Sequence, residues 1–303
     1  FRTIVVDNGS TDGSTNFIKR KYPEIHVIPL QKNMGFAKAN NIAISEVNTP
    51  YVGLLNNDAI PSPKWLESLV EALEKYPEAG MAASKMVFYS NPDRIDRAGD
   101  GYTIAGAGSL RGRGNDANTF DKEEWIFGAS AGAALYRTIL FKDIGGFDED
   151  FFLLYEDVDL SFRAQLAGYQ CRYVPSAVVR HMATRSIGYD SPVSVYYGHR
   201  NLEWTYIKNM PKGLFLKTLP LHLAYVLSSL VFFSISGRLT AYLNSKLDAL
   251  IALRRCLEKR RKIQKTKVVS DAYLEGLLGK EMFADRLIRR LARGNTLGEK
   301  GLK

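Results

Sequence analysis

Three carboxyl side chains, Glu156, Asp157 and Asp159, crowd together at the end of the aromatic and apolar run FFLLYEDVDL. Acids at the start of a helix face the positive end of its dipole, which favours their ionised form. The apolar approach draws water away from them, and a carboxylate held in a partly dry place is what a general base requires. A capping cluster with a solvated face is the alternative reading of the same residues. Beyond them Leu160, Phe162, Leu166 and Tyr169 recur at helical spacing. An amphipathic helix is therefore predicted, with Arg163 and Gln165 off its apolar face.

Other polar groups follow apolar runs elsewhere in the chain. Asp58, in LLNNDA, could hold Mg²⁺ or Mn²⁺ through oxygen, and the ion would offset the charge of a diphosphate. In the triplet Asn56-Asn57-Asp58 only Asp58 is charged. Asp7, in VVDNGSTDGS, could accept a hydrogen bond from the imide N–H of a pyrimidine base. The same motif suits an Asx-turn or a helix cap. His181, in VVRHMATRS, could be a further metal or phosphate contact, or a structural histidine.

The elements that must position these groups read as strand-helix units. Strands are expected at residues 3–6, 25–30 and 51–55, and helices at 15–21, after Asn33-Met34-Gly35-Phe36 as far as residue 44, and at 64–75. Such repetition implies βαβ crossovers and a mostly parallel sheet flanked by helices. Ligands of these sheets sit outside the carboxyl ends of the strands, where the polar motifs fall. Residues 87–125, rich in Gly and Asp, read as an irregular excursion, a short hairpin or a lid. The glycines of FGASAG, at 128 and 132, would let another molecule approach the backbone closely. Strand signals return at 171–174 and 178–181, and a helix is expected over 193–209.

The charge is unevenly spread. Residues 1–204 hold 21 Lys and Arg against 25 Asp and Glu, whereas 205–303 hold 20 against 7. A basic tail on a mildly acidic body calls for an anionic partner. Residues 219–236 carry no Asp, Glu, Lys or Arg, which is the lower limit for spanning a bilayer, and Pro220 and His222 weaken that case. Residues 247–267 follow with eight Lys and Arg beside Leu247, Leu250, Ile251 and Leu257. This pattern reads as a helix on an anionic membrane surface. The basic run lacks interleaved aromatics for base stacking, so nucleic acid is not the expected partner. Two cysteines, Cys171 and Cys256, without CxxC spacing, exclude a disulfide framework or zinc site and fit a reducing, cytoplasmic compartment. The chain opens without Met and almost directly in a strand, so a preceding strand is expected to be missing.

Six ordered stretches carry a resemblance: VVDNGSTDGS, NMGFAKANN, LLNNDA, FGASAGAALYR, GGFDEDFFLLYEDVDLSFRAQLAGY and YYGHRN. Together they resemble the family 2 glycosyltransferases of the GT-A fold, and among them the rhamnosyltransferase-like members. The resemblance covers residues 1–205 and implies a Rossmann-like α/β domain there, while the charge and apolar pattern of 206–303 mark a basic, membrane-associating helical region. It implies inverting transfer of a sugar, rhamnose in that branch, from a nucleoside diphosphate donor to a hydroxyl acceptor. The acceptor would be a cell-surface glycan or a lipid-linked sugar at the inner face of the membrane. By the same resemblance Asp157 is the base, with Glu156 beside it. Asp7, Asn8, Gly9, Ser10, Asn33, Gly35, Asn57 and Arg200 fall at the donor, with the metal at Asp58 and His181. The Asn-Asn-Asp triplet departs from the usual Asp-x-Asp. A nucleotidyltransferase on a similar sheet is the competing enzyme, but DNGSTDGSTN lacks the lysine of a phosphate loop. A non-catalytic protein that binds anionic surfaces is the other alternative.

Overall fold

The computed structural model describes residues 1–183 and 191–280. The first two strand-helix units are β1 (Ile4–Asp7), α1 (Ser14–Lys21), β2 (His26–Pro29) and α2 (Phe36–Ser45). β1 and β2 pair in parallel, Ile4 opposite His26. There follow β3 (Tyr51–Leu55), β4 (Ala59–Pro61), α3 (Trp65–Lys75), β5 (Ala79–Phe88) and β6 (Asn91–Arg97). The expected irregular excursion contains β6, β7 (Asp100–Tyr102), β8 (Gly108–Leu110) and β9 (Glu124–Ile126). Beyond it lie β10 (Ala133–Arg137), α4 (Thr138–Ile144), α5 (Glu156–Leu166) and β11 (Gln170–His181). The chain ends in α6 (Pro192–Asn209), α7 (Lys212–Ile235), α8 (Leu239–Ile251), α9 (Leu253–Lys265) and α10 (Asp271–Leu277).

The large sheet runs in the order β3-β10-β5-β11-β4, with β6 beside β5 and β9 beside β11. It is mixed, which corrects the expectation of a mostly parallel sheet. β5 and β11 are parallel, but β10 lies antiparallel to both β3 and β5. The reason is the route: β10 is reached from the long excursion after β5, with no crossover helix, and only parallel neighbours require one. β5 (AGMAASKMVF) is buried along nearly its whole length. A strand covered on both faces loses the alternation that would reveal it in sequence. Its alanines let α3 and α5 lie close on either side, so the core forms two layers around the sheet.

α5 also departs from expectation, because all its residues are buried and it has no solvated face. Arg163 bonds Asp159 at 2.9 Å and the carbonyls of Ile144 and Gly146 at 3.0 and 2.8 Å. Gln165 donates to the Phe127 carbonyl at 2.9 Å and accepts from the Tyr273 hydroxyl at 2.7 Å. The polar face is covered because α6, α9 and α10 pack over the sheet domain. The 205/206 division falls inside α6, and the basic helices fold back onto the body. Lys259 of α9 pairs with Asp150 at 2.6 Å, and Arg260 donates to the carbonyls of Ile207 and Met210. The expected basic helix over 247–267 is split, with Leu247–Ile251 closing α8 and the cations on α9.

Lys208 fastens α6 to this core. Only 1% of its side chain is exposed, and it meets Asp148 and, at 2.9 Å, Asp159. Lys208→Ala leaves two buried acids short of a cation, and the expected loss is about 3–5 kcal/mol of unfolding free energy. Denaturant titration measures it; a loss below about 1 kcal/mol, the range of a surface pair, would show the contact to be dispensable.

Candidate active site

The turn after β3 is held from both sides. The Asn56 N–H donates to the Gly132 carbonyl and the Met182 N–H donates to the Asp58 carbonyl, both at 2.9 Å. Met182 follows the end of β11, and that strand places His181 with Nε2 3.2 Å from Asp58 Oδ1. The other ring nitrogen, Nδ1, lies 2.7 Å from Asp96 Oδ2. Asp96 is fully buried and also bonds Arg113 at 2.5 Å. Burial alone would raise its pKa, but the His181 hydrogen bond and the charges of Arg113 and Arg97 prevail and lower it. Asp96 thus fixes the ring through Nδ1 and leaves Nε2 facing Asp58.

A divalent ion bound between these two groups would take the Nε2 lone pair and an Asp58 oxygen together. The 3.2 Å gap suits neighbouring ligands of one octahedral divalent ion, which lie about 3 Å apart. The Asp96–His181 contact is the outer support such a ligand normally has. Among the described residues no group of three or more His, Cys, Asp and Glu is arranged to hold a metal ion by itself. The protein thus offers two ligands here, and these residues fit a metal that takes its remaining oxygens from water or a bound molecule.

Asn57, Asp58 and His181 line a cavity of about 1060 Å³, together with Arg97, Asp100 and the aromatic wall of Tyr155. Asp157 stands behind Arg97, with 12% of its side chain exposed. Its Oδ2 lies 3.4 Å from the Ala131 N–H, 3.5 Å from Ser130 Oγ and 3.7 Å from Arg97. Arg97 bonds Ser130 at 2.9 Å and Asp100 at 3.3 Å with the same nitrogen. Gly128 does not leave room for an outside molecule, as its sequence context suggested. A Cβ there would lie 2.4 Å from Ser161, so α5 itself makes the close approach.

Glu156 is buried beside Asp157. Burial, then the charges of Asp157 and Asp100, push its carboxyl up to about 8 against the opposing pull of Arg97. Asp159, the third acid of the cluster, turns away to Arg163 and Lys208 and is structural. The entry to α5 is strained, with Leu154 at φ 66° and Tyr155 at φ 72°. A side chain in the left-handed region costs on the order of 1 kcal/mol. Asn201 offsets this by donating to the carbonyls of Leu153 and Leu154 at 2.8 and 2.7 Å.

Asp157, Glu156 and the remaining sequence-chosen residues do not line the cavity itself. Asp7 accepts from the Ser10 N–H at 3.0 Å, the Asx-turn alternative. Asn8 bonds Asn33 at 3.0 Å, Gly35 at 3.2 Å and the Met34 N–H at 2.7 Å, so it ties the loops after β1 and β2 together. Gly9 has φ +84° and no space for a Cβ, which would meet Lys32 at 2.7 Å. Gly35 has φ +80° and sits against the Phe152 carbonyl, bringing Phe36 to the cavity. Arg200 is not at the cavity. Its guanidinium packs on Trp204 at 4.1 Å and donates to the Asp150 carbonyl at 3.2 Å.

Four residues escaped the sequence reading. Arg97, Asp96 and Asp100 lie in RIDRAGD, where mixed charges in an aperiodic stretch looked like solvated loop. Asn201 is the neighbour of Arg200 in the quoted HRN, and only its burial distinguishes it.

The mixed sheet covered by helices, with acids at the ends of β3 and at the start of α5, is the GT-A architecture. Solved structures agree. The fold of GalNAc-T7 with UDP, GalNAc and Mn²⁺ matches 74% of this chain at 13% identity, with a TM-score of 0.56. S. aureus TarS matches 88% of this chain at 16% identity, with a TM-score of 0.55. This chain spans 45% and 49% of those two structures, so the likeness is one of fold. Residues 1–145 match the family model of Glycosyl transferase family 2. That match and a curated relative support a family 2 glycosyltransferase of the rhamnosyltransferase-like kind. It is 28% identical over 236 residues to the N-acetylglucosaminyl-diphospho-decaprenol L-rhamnosyltransferase of Mycobacterium tuberculosis, covering 69% of this chain and 75% of that protein.

The Glu156 carboxyl predicts a pH dependence. From its ordinary value of 4.5 up to about 8 the folded protein keeps a proton that the unfolded chain releases. Stability therefore falls as pH rises through that window and levels off above it. Glu156→Gln should remove most of this slope, so its unfolding free energy relative to the parent rises from about pH 5 to about pH 9 in chemical denaturation. Parallel slopes for the two proteins would show that Glu156 is not held protonated.

Proposed function

We propose that this glycosyltransferase moves a sugar, rhamnose, from a nucleoside diphosphate donor to a hydroxyl of a cell-surface glycan or lipid-linked acceptor, with inversion. The observation that carries the reading is the single cavity. Asp58 and His181 line it, and so does Arg97, the guanidinium that faces Asp157. Asp157 accepts the acceptor's hydroxyl proton as that oxygen bonds the sugar C1 and the bond from C1 to the diphosphate breaks. Glu156, protonated beside it, leaves the single negative charge to Asp157. Asp58 and His181 would hold a Mg²⁺ or Mn²⁺ ion, which neutralises charge on the departing diphosphate. The loops bearing Asp7, Asn8, Gly9, Ser10, Asn33, Gly35 and Asn57 bind the donor. Arg200 packs on Tyr197 and Trp204, away from the cavity. The likeness to a rhamnosyltransferase supports rhamnose as the sugar and a polyprenyl diphosphate sugar as the acceptor class.

Residues 206–303 serve as the contact with an anionic membrane surface at the cytoplasmic face; residues 281–303 lie outside the described residues. α7 is long and apolar enough to cross a bilayer, with a mean hydropathy of 1.7 over its best window. A position along the surface is better supported, because one stripe of it is fastened to the body. His222 lies 3.0 Å from Glu203 and stacks on Tyr206 with ring centroids 3.9 Å apart. The opposite stripe, Leu223, Leu227, Val231 and Ile235, is exposed, as are Leu247, Leu250 and Ile251 on α8. Exposed Arg254 and Arg255 flank them, the arrangement of an interfacial helix.

Two experiments test these readings. In a donor panel scored by nucleoside diphosphate release, Asp157→Asn should lower kcat by about 10²–10⁴-fold while donor affinity stays within a few fold. Asp58→Ala should weaken donor binding and the metal titration together. Full turnover by Asp157→Asn, or pyrophosphate as the product, would replace this reading with another chemistry. In flotation with anionic vesicles, Leu227→Glu combined with Leu250→Glu should release the protein to the soluble fraction. Unchanged flotation, or retention by RNA in place of vesicles, would remove the membrane role from this face.

A further inference from the structure

Arg97 lines the cavity with Asp58 and His181, and the protein uses only one end of its guanidinium. The residue closes β6, opposite Met86 of β5. The backbone beyond it is clamped. The Ala98 N–H donates to the Arg111 carbonyl at 2.9 Å, and Asp100 and Gly128 bond each other in both directions at 2.8 and 3.2 Å. The side chain therefore starts from a fixed point in the wall. Its Nη1 lies 2.9 Å from Ser130 Oγ, 3.3 Å from Asp100 Oδ1 and 3.7 Å from Asp157 Oδ2.

All three contacts fall on that one nitrogen. Nε and Nη2 meet no partner among the described residues, yet neither is a buried atom cut off from solvent. With 24% of the side chain exposed, that edge opens to the cavity. Nε–H and one Nη2–H run parallel along the edge, a fork of two donors that matches two oxygens of a carboxylate or a phosphate. The protein's own carboxylates are taken at the Nη1 side, so the fork is left for an anion from outside. The other arginines of the wall are tied to acids: Arg111 to Glu124, and Arg113 to Asp96. A nucleoside diphosphate sugar and a lipid-linked diphosphate both offer phosphoryl oxygens and no carboxylate.

We propose that Arg97 binds a phosphoryl group of the substrate, with Nε and Nη2 on two phosphate oxygens while Nη1 keeps Ser130 and Asp100. The donor diphosphate and the diphosphate of a lipid-linked acceptor share that chemistry. Asp157 stands at the other end of the same guanidinium, so one planar group sets the spacing between the phosphate and the proposed base. The inference rests on the nucleotide-sugar reading of the cavity, but the phosphate contact is measurable without turnover.

The test uses the whole chain. Arg97→Lys keeps a cation beside the acids and removes the fork. In titration calorimetry with EDTA, where no metal contributes, this variant should bind inorganic pyrophosphate about 10–100-fold more weakly than the parent, the range of charged hydrogen bonds. Two further arms, run with Mg²⁺, identify the source. Loss of affinity for dTDP, UDP or GDP puts the donor diphosphate on Arg97, and loss for farnesyl diphosphate puts the acceptor's there. A purely structural Arg97 would lower the melting temperature and leave pyrophosphate affinity equal, which would overturn the proposal, as would a parent that binds no pyrophosphate. If the variant unfolds, the parent alone decides: phenylglyoxal should label Arg97 in peptide maps, and pyrophosphate should slow that labelling. An unchanged labelling rate would also overturn the proposal. Pyrophosphate binding that depends on Arg97, in a protein that transfers sugar from no donor, would instead end the transfer reading and leave the phosphate contact standing.

Discussion

Three acids in the first turn of α5 cannot all be buried unless each finds its own compensation, and the way they divide the available cations organises the molecule. Asp159 takes Lys208 and Arg163, which draws α6 and the loop after α4 onto the core. Asp157 faces Arg97, which draws β6 and the Ser130 turn to the cavity. Glu156 receives no cation of its own and stays neutral near physiological pH. A buried charge without a partner would cost several kcal/mol, so this division is forced by the interior and not chosen freely. It is also what separates the structural Asp159 from the proposed base two residues away.

The turn that leads into α5 links the same acids to the other end of the molecule. Phe152 accepts the Phe36 N–H through its carbonyl at 2.9 Å, and Gly35 must be a glycine because that carbonyl crowds it. Two residues later the backbone enters the left-handed region at Leu154 and Tyr155, held there by Asn201. The loop after β2 and the start of α5 therefore share one rigid junction. Asn8, which ties the loops after β1 and β2 together, is thus joined through Gly35 and Phe152 to the backbone that carries Asp157.

How far the sequence disclosed this follows from what each residue depends on. Asp58 and β3 were legible because a buried strand ending in polar residues is a local pattern, and residues 51–55 are the observed strand. The helix carrying Asp157 was legible by its spacing, but its burial was not, since the covering helices begin 26 residues or more downstream of its end. β5 was silent because a strand buried on both faces has no alternation. β10 reversed the expected direction because strand direction is set by the connecting route, which periodicity does not encode. Arg97 and Asp100 could not be chosen from RIDRAGD, where only tertiary pairing distinguishes a buried arginine from a solvated one. Asn8 and Asn33 were selected for a ligand, and the structure accounts for them by a loop-to-loop bond.

The two stripes of α7 show why composition alone leaves a helix of this kind undecided. Its hydropathy is that of a membrane span, yet its inner stripe holds Thr218, His222 and Ser229, polar groups that a lipid-facing helix would leave unsatisfied. Two of those groups are satisfied inside the protein: Thr218 meets the Tyr206 hydroxyl at 3.0 Å, and His222 lies 2.9 Å from the Ala105 carbonyl. Tyr225 and Phe233, on that same inner stripe, line the cavity. α7 is thus a wall with two different surfaces, one completing the site and one offering leucines outward. Pulling it into a bilayer core would open the cavity and strand Glu203, so the stable place for an apolar surface is the outer stripe alone.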